Sequence, residues 1–136
     1  MNNRRRSREL ALQILYQIEM KAEAPKEVMS LFWRVEDVPP PVREFTTELV
    51  DGTYRNRKEI DQLIGQCSAH WRLDRMAVVD RNILRLSGYE LMYLNDVPTS
   101  VVLNEAIEIA KKFGTEESSA FINGILDAMA KKVRGS

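Results

Sequence analysis

Apolar residues recur every three or four positions along most of this chain, which is the spacing of one face of an α-helix. The β-branched residues do not alternate with polar ones, so no strand is predicted. The predicted helices span about Arg5 to Ala22, Lys26 to Val35, Val42 to Tyr54, Lys58 to Ser68, Asp74 to Leu94, Pro98 to Phe113, and Thr115 to Arg134. The pattern therefore indicates an all-α protein of seven helices.

Residues that start or stop helices separate these segments. Three consecutive prolines, Pro39 to Pro41, cannot continue a helix and end the second one. Asp74 is predicted to cap the N-terminus of the fifth helix, and Pro98 to be the first residue of the sixth. Gly114 is predicted to end the sixth helix in a left-handed conformation, and Thr115 to cap the seventh, with two glutamates in its first turn. Short turns between seven helices predict a compact bundle.

The length and composition fit a single soluble domain over residues 1–136. A chain of 136 residues with 44% hydrophobic and 29% charged residues is ordinary for a globular domain. The basic N-terminus is not followed by an apolar signal-peptide region. No stretch approaches the roughly 20 apolar residues that a membrane span needs. The expectation is a cytoplasmic protein.

The zero net charge conceals a concentrated basic end. Residues 1–8 contain Arg4, Arg5, Arg6 and Arg8 and no acid, a charge of +4, so the other 128 residues carry 16 bases against 20 acids, a charge of −4. Such an end can attract phosphate locally, although a solvated tail is the alternative. Positive charge in the first turns of a helix opposes the helix dipole, which indicates that function placed the arginines there.

No catalytic or metal-binding motif stands out. Cys67 and His70 have a metal-like spacing, but the chain offers no second pair of soft ligands, and no third group orients them as a catalytic pair. The chain also lacks a glycine-rich phosphate loop and a nucleophile elbow. These patterns predict that the protein is not an enzyme and that it needs no metal or cofactor.

Polar residues and a glycine interrupt the two last helices. Asn104, Glu105, Asn123 and Gly124 lie in the middle of strongly helical segments, where glycine costs about 1 kcal/mol relative to alanine. The favoured interpretation is structural: Gly124 permits close helix packing, and the three polar side chains bond buried backbone or each other. A direct ligand role is the alternative.

Several spaced motifs together resemble the NusB family of transcription antitermination proteins. They are Arg4 to Glu9 with Ala11 to Tyr16, Arg85 with Tyr89 to Leu91, Asp96 to Pro98, Asn104 to Lys111, Phe113-Gly114, and Phe121 to Asp127. The resemblance spans essentially the whole chain, and its C-terminal half is the specific part because the motifs occur in the family's order. The segment from Ala22 to about Trp71 resembles the family only in length and pattern.

The resemblance implies a fold, a function and partners. It implies two packed helical subdomains, here about residues 1–71 and 72–136. It also implies binding to the boxA sequence of nascent ribosomal RNA transcripts together with the ribosomal protein NusE, within an antitermination complex on RNA polymerase. Some members of the family form homodimers, so a homodimer is an open alternative to a monomer.

The resemblance also implies site residues. The arginines Arg4, Arg5, Arg6 and Arg8 would contact RNA phosphates and stack on unpaired bases. Four phosphate contacts to a single strand predict a salt slope, the slope of the logarithm of the binding constant against the logarithm of the salt concentration, of about −3. Phe121 matches a position implicated in RNA contact, although core packing is its alternative, and Glu117 matches an acidic position that tunes the contact. The residues implied to bind NusE are Tyr16, Asp74 and Asp80. Asp80 replaces the family's more common glutamate.

Two rival functions stay open beside this one. The first is a helical adaptor that binds protein only, which would be indifferent to RNA but would still bind NusE. The second is an RNA-modifying enzyme, which would need a pocket of converging titratable groups for which the sequence gives no sign.

Overall fold

The computed structural model describes residues 3–69 and 71–135, and within them the chain forms seven α-helices and no strand. The all-α prediction is confirmed. The helices are α1 (Asn3–Lys21), α2 (Pro25–Val35), α3 (Pro40–Arg55), α4 (Arg57–Cys67), α5 (Val78–Tyr93), α6 (Thr99–Phe113) and α7 (Ser118–Arg134), with a short 3-10 helix at Leu73–Arg75 before α5. No helix in the described part of the chain is long and apolar enough to cross a membrane.

Helix α5 is the centre of the bundle, because α1, α3, α4, α6 and α7 all contact it. The apolar faces that the periodicity predicted meet around it. The largest fully buried side chains include Leu10, Ile14, Leu49, Ile60, Ile64, Ile83, Leu84, Leu86, Leu91, Ile122, Leu126 and Met129. Each such side chain contributes about 1.5–3 kcal/mol when it is removed from water, so this core sets the frame on which the surface residues are held.

Helices α3 and α5 approach closely at a glycine. A Cβ atom on Gly52 would lie 2.1 Å from Cζ of the Tyr89 ring, so only a residue without a side chain fits there. Gly52 lies inside α3, which continues through it to Arg55. The packing of Tyr89, which is buried, supports this glycine inside the helix.

The predicted start of α5 was wrong. Asp74 does not cap that helix; it lies in the 3-10 helix, and its side chain accepts a hydrogen bond of 3.0 Å from Arg72. Helix α5 begins only at Val78, after Ala77, and has no side-chain cap. The backbone of Met76 and Ala77 is extended, so it separates the 3-10 helix from α5 and the predicted single helix from Asp74 does not form.

The predicted turn between α6 and α7 was also wrong in its details. Gly114 ends α6 with φ −98° and ψ −163°, which is extended backbone and not the left-handed region. Helix α7 starts at Ser118, and the backbone N–H of Thr115 donates to the Ser118 hydroxyl at 2.9 Å. Glu117 therefore precedes the helix and does not lie in its first turn.

The C-terminal end of α5 is satisfied by an arginine from α7. The guanidinium of Arg134 donates to the backbone carbonyls of Glu90, Leu91, Leu94 and Val97 at 2.6–3.0 Å. Carbonyls in the last turn of a helix have no partner within it. Arg134 adds a partner for the carbonyls of Glu90 and Leu91 and for those of Leu94 and Val97 after the helix, and it ties α7 to the end of α5.

The polar interruptions of α6 and α7 divide between interior and surface. Glu105 is buried, but its partner is the Arg5 side chain and not backbone or an asparagine, so its predicted partners were wrong. Asn104 and Asn123 are exposed, so their predicted buried hydrogen bonds were wrong. Gly124 is exposed too, and a Cβ there would meet nothing within 4 Å, so it permits no close packing.

The division of the chain into two subdomains at residues 71 and 72 stays a prediction. That boundary falls between α4 and the 3-10 helix. Apolar residues from both sides of it belong to one hydrophobic core.

Candidate nucleic-acid interface

The arginines of α1 divide by their partners into an inner pair, Arg5 and Arg8, which contact carboxylates of α6 and α5, and an outer pair, Arg4 and Arg6. Positions three or four apart share one face of a helix, so Arg5 and Arg8 point the same way. Arg8 is in the interior, where its guanidinium makes two parallel hydrogen bonds of 2.9 and 2.8 Å to the carboxylate of Glu90 on α5. The side chains of this pair are only 4% and 2% exposed. In this position Arg8 cannot reach a phosphate outside the protein.

Arg5 makes the same kind of contact one turn nearer the end of the helix. Its Nε and Nη2 donate to the two carboxylate oxygens of Glu105 on α6, at 3.0 and 2.7 Å. The hydrogen bond from Arg5 is the main cause that lowers the pKa of the Glu105 carboxyl, although burial opposes it. Arg8 also lies 3.7 Å from Glu105, so two arginines and two glutamates form one charge-balanced cluster.

Arg4 and Arg6, the outer pair, point in different directions from α1, and both reach the surface. The guanidinium of Arg4 lies 3.8 Å from the centre of the Phe45 ring on α3, in a cation–π contact. Arg6 lies 3.6 Å from Glu36 across a partly exposed ion pair, in which both side chains are 37% exposed. These contacts orient the two cations and leave them at the surface.

A lysine on α6 extends the charged surface beside the inner pair, and the sequence analysis missed it. Lys112 Nζ donates to Glu9 of α1 at 3.0 Å, and its side chain is 57% exposed. In the sequence, Lys111 and Lys112 are two similar cations at the end of α6, and nothing there indicates that Lys112 contacts α1. Only the packing of α6 on α1 brings this cation to the arginines.

Glu117 and Phe121 lie together at the start of α7. The backbone N–H of Phe121 donates to the carbonyl of Glu117 at 3.1 Å, and Glu117 is exposed. The half-buried Phe121 ring meets the Trp71 ring edge to face, with centroids 5.7 Å apart. Trp71 is 57% exposed and was not predicted as a site residue. The predicted RNA residues thus form two groups, one on α1 and one on α7.

The residues predicted for NusE are spread over α1, the 3-10 helix and α5. Tyr16 is 39% exposed, and Asp74 is exposed in its ion pair with Arg72. Asp80 is half-buried in the first turn of α5, and its Oδ1 is buried without a hydrogen-bond partner among the residues described. Their role stays a prediction.

The remaining candidate chemistry concerns Cys67 and His70. Burial raises the pKa of the Cys67 thiol, which disfavours the reactive thiolate. His70 lies outside the described residues. Within residues 3–69 and 71–135, no group of three or more histidine, cysteine, aspartate or glutamate side chains is placed to hold a metal ion.

Comparisons with known proteins agree on one family. The NusB family model matches residues 5–131. The transcription antitermination protein NusB of Myxococcus xanthus (strain DK1622) is 48% identical over 134 residues, which cover 96% of each chain. That of Syntrophus aciditrophicus (strain SB) is 44% identical over 133 residues, which cover 98% of this chain and 83% of the relative.

Solved structures give the same result for the fold. T. maritima NusB superimposes with a TM-score of 0.87 at 39% identity, covering 95% of this chain and 91% of that one. A crystal structure of antitermination factors NusB and NusE in complex with double-stranded RNA contains a chain that superimposes with a TM-score of 0.88 at 30% identity. That match covers 97% of this chain and 98% of the other.

Proposed function

The chain belongs to the NusB family, and from this premise we propose that it is an RNA-binding transcription antitermination factor. It binds boxA of nascent ribosomal RNA transcripts together with the ribosomal protein NusE, and it joins the antitermination complex on RNA polymerase. The observation that carries the proposal is the similarity over 97% of the chain to a protein solved with NusE and RNA.

The proposed action is recruitment without chemistry, in the cytoplasm where transcripts are made. The charged groups of the candidate interface are held in ion pairs, such as Arg5 with Glu105 and Lys112 with Glu9. Such groups bind phosphate and orient a partner, but they supply no activated nucleophile. The raised pKa of the Cys67 thiol fits the same interpretation.

The proposed RNA contacts divide by position. Arg4, Arg5 and Arg6 are the phosphate contacts, because all three side chains are at least partly exposed. Arg5 is 41% exposed at its side chain and can bridge Glu105 and a phosphate. Arg8 acts through the fold by holding α1 against α5. Phe121 contacts a base, and Glu117 tunes that contact by repelling phosphate.

The proposed NusE surface consists of Tyr16, Asp74 and Asp80. Its support is electrostatic, because carboxylates at a surface attract a basic ribosomal protein and speed its association. Tyr16 adds an amphipathic aromatic side chain of the kind that is enriched at protein interfaces.

The test is fluorescence anisotropy with labelled single-stranded RNA that carries boxA and with a scrambled RNA, each with and without NusE, at two salt concentrations. Preferential binding to boxA that tightens with NusE is the expected result. Equal binding to both RNAs would reduce the protein to a generic basic surface. NusE binding without any RNA binding would favour the protein-only adaptor instead.

A further inference from the structure

A groove of about 1220 Å³ lies between the end of α1, the end of α3, helix α4, the 3-10 helix and the start of α5. We call it the Trp71 groove, after the exposed aromatic residue in its lining. Its lining also includes Tyr54, Arg57, Lys58 and Arg72. None of these five residues belongs to the RNA contacts proposed above.

Trp71 connects this groove to the proposed RNA contact on α7. Its ring contacts the Phe121 ring edge to face, while the residue itself lines the groove and is 57% exposed. Trp71 makes two hydrogen bonds with Ser68: the Trp71 N–H donates to the Ser68 carbonyl at 2.8 Å, and the Ser68 hydroxyl donates to the Trp71 carbonyl at 3.1 Å. The exposed ring therefore lies next to Phe121 and is linked to Ser68 at the end of α4.

The charges of the groove leave two cations available to a ligand. Its acids are largely compensated: Glu19 and Asp61 accept hydrogen bonds from Arg81 and Arg85, and Asp74 pairs with Arg72. Glu23 is the remaining acid of the lining.

Arg57 and Lys58, in the first turn of α4, are exposed and form no ion pair with any residue in the described ranges. Because these two unpaired cations exceed the one remaining acid, the groove favours an anionic ligand.

A cationic and an aromatic side chain stack on each other in the lining of this groove. The Arg57 guanidinium lies 3.9 Å from the centre of the Tyr54 ring, and its Nη1 donates to the Tyr54 carbonyl at 2.7 Å. A guanidinium stacked on a ring offers a flat cationic face, on which an unpaired base can stack while a phosphate meets the charge. Single-stranded nucleic acids are bound by aromatic stacking surfaces beside cationic grooves of this kind.

We propose that the Trp71 groove binds single-stranded RNA that continues past the base held at Phe121. Trp71 stacks on the next unpaired base, and Arg57 and Lys58 contact the phosphates that follow. This inference rests on the proposed RNA-binding function and extends it to RNA outside boxA. The groove also reaches Asp74, so the RNA would run from the α7 contact toward the proposed NusE surface.

The experiment compares boxA RNA alone with the same RNA extended at its 5′ or its 3′ end, by fluorescence anisotropy. The variants are R57A/K58A and W71A, and the matched control is K26A/R34A, which removes two exposed cations from α2. The wild type should bind one extended RNA more tightly than boxA alone. R57A/K58A should lose that gain and lower the salt slope for the extended RNA by about 1.4. W71A should bind the extended RNA about fivefold or more weakly than the wild type does.

A spectroscopic measurement keeps the test valid if W71A folds poorly. In a W33F protein Trp71 is the only tryptophan, and stacking on a base should quench its fluorescence with the extended RNA more than with boxA alone.

The inference is overturned if R57A/K58A and W71A keep the full gain from the extension while boxA binding is intact. It is equally overturned if these variants lose NusE binding alone, which would make the groove a protein site. Absence of any RNA binding by the wild type would instead defeat the proposed function itself, and the inference with it.

Discussion

The four arginines in the first turns of α1 form an inner and an outer pair with different kinds of partner. In the inner pair, Arg5 and Arg8 make bidentate contacts with carboxylates of α6 and α5. In the outer pair, Arg4 and Arg6 contact an aromatic ring and a half-exposed glutamate and stay at the surface. A basic cluster in a sequence is therefore not one functional unit, because carboxylates of α5 and α6 engage half of this one.

The partners of the inner pair also offset the unfavourable placement of cations at a helix N-terminus. Positive charge there opposes the helix dipole, but the carboxylates of Glu90 and Glu105 lie directly against the two guanidinium groups. A buried ion pair is tolerated when its geometry is good and its hydrogen bonds are satisfied, as the parallel bonds between Arg8 and Glu90 are. The cost that seemed to signal function is thus partly offset within the fold.

The largest expected effect is on stability, from removal of the innermost arginine. Arg8→Ala leaves the Glu90 carboxylate buried without its partner, which should lower the free energy of unfolding by about 3–5 kcal/mol. Urea denaturation followed by circular dichroism measures it. Replacing Arg8 and Glu90 together by Met should recover most of that loss, because no uncompensated charge remains. A loss below about 1 kcal/mol in Arg8→Ala would mean that the pair is not buried in solution.

The outer pair should respond in RNA binding. The double variant R4A/R6A removes two phosphate contacts, so the salt slope for boxA RNA should fall by about 1.4 and affinity at physiological salt by about tenfold. Anisotropy titrations at several salt concentrations measure both quantities. K26A/R34A, which removes two exposed cations from α2, should bind like the wild type. Equal losses in the two double variants would show that only overall charge matters.

A smaller effect should appear in the pH dependence of stability. The pKa of Glu105 in the folded protein is lowered below its ordinary value of 4.5, chiefly by the hydrogen bond from Arg5. The unfolded state therefore binds the proton more readily, so this contribution is complete above about pH 4.5 and is lost as pH falls through the folded pKa.

Thermal melts of Glu105→Gln and the wild type check this expectation. The difference in Tm should be greatest near neutral pH and should shrink as the pH falls below 4.5. Glu59→Gln, an exposed change in α4, serves as the control and should melt like the wild type. A Tm difference for Glu105→Gln that stays constant down to pH 3 would contradict the proposed pairing.

The smallest effect should come from the outer ion pair. Arg6→Ala breaks a partly exposed contact with Glu36 and should change the free energy of unfolding by no more than about 1 kcal/mol. Urea denaturation of Arg6→Ala beside Arg8→Ala shows whether burial of the ion pair sets the size of the loss in unfolding free energy. A loss as large as that of Arg8→Ala would remove the distinction between the two pairs.

Much of the fold could be predicted because it depends on local periodicity. The positions of Leu10, Ile14 and Ile18 predicted a helix with one apolar face, and α1 buries all three. The helix boundaries were less predictable. Asp74 and Thr115 are residue types that often cap helices, but Asp74 lies in the 3-10 helix and Thr115 in the turn before α7. Capping preferences are worth about 1 kcal/mol, which packing of a core can override.

The sequence by itself determined the helical class, the apolar faces and the family, because these depend on spacing and ordered motifs within short segments. Only the tertiary structure decided which charges meet, because the partners are distant in the chain. Glu90 lies 82 residues after Arg8, and Glu105 lies 100 residues after Arg5. The contact of Trp71 with Phe121 likewise depends on the packing of separate elements. A charge pattern shows that cations are present, but burial and partners decide whether they hold the fold or remain for RNA.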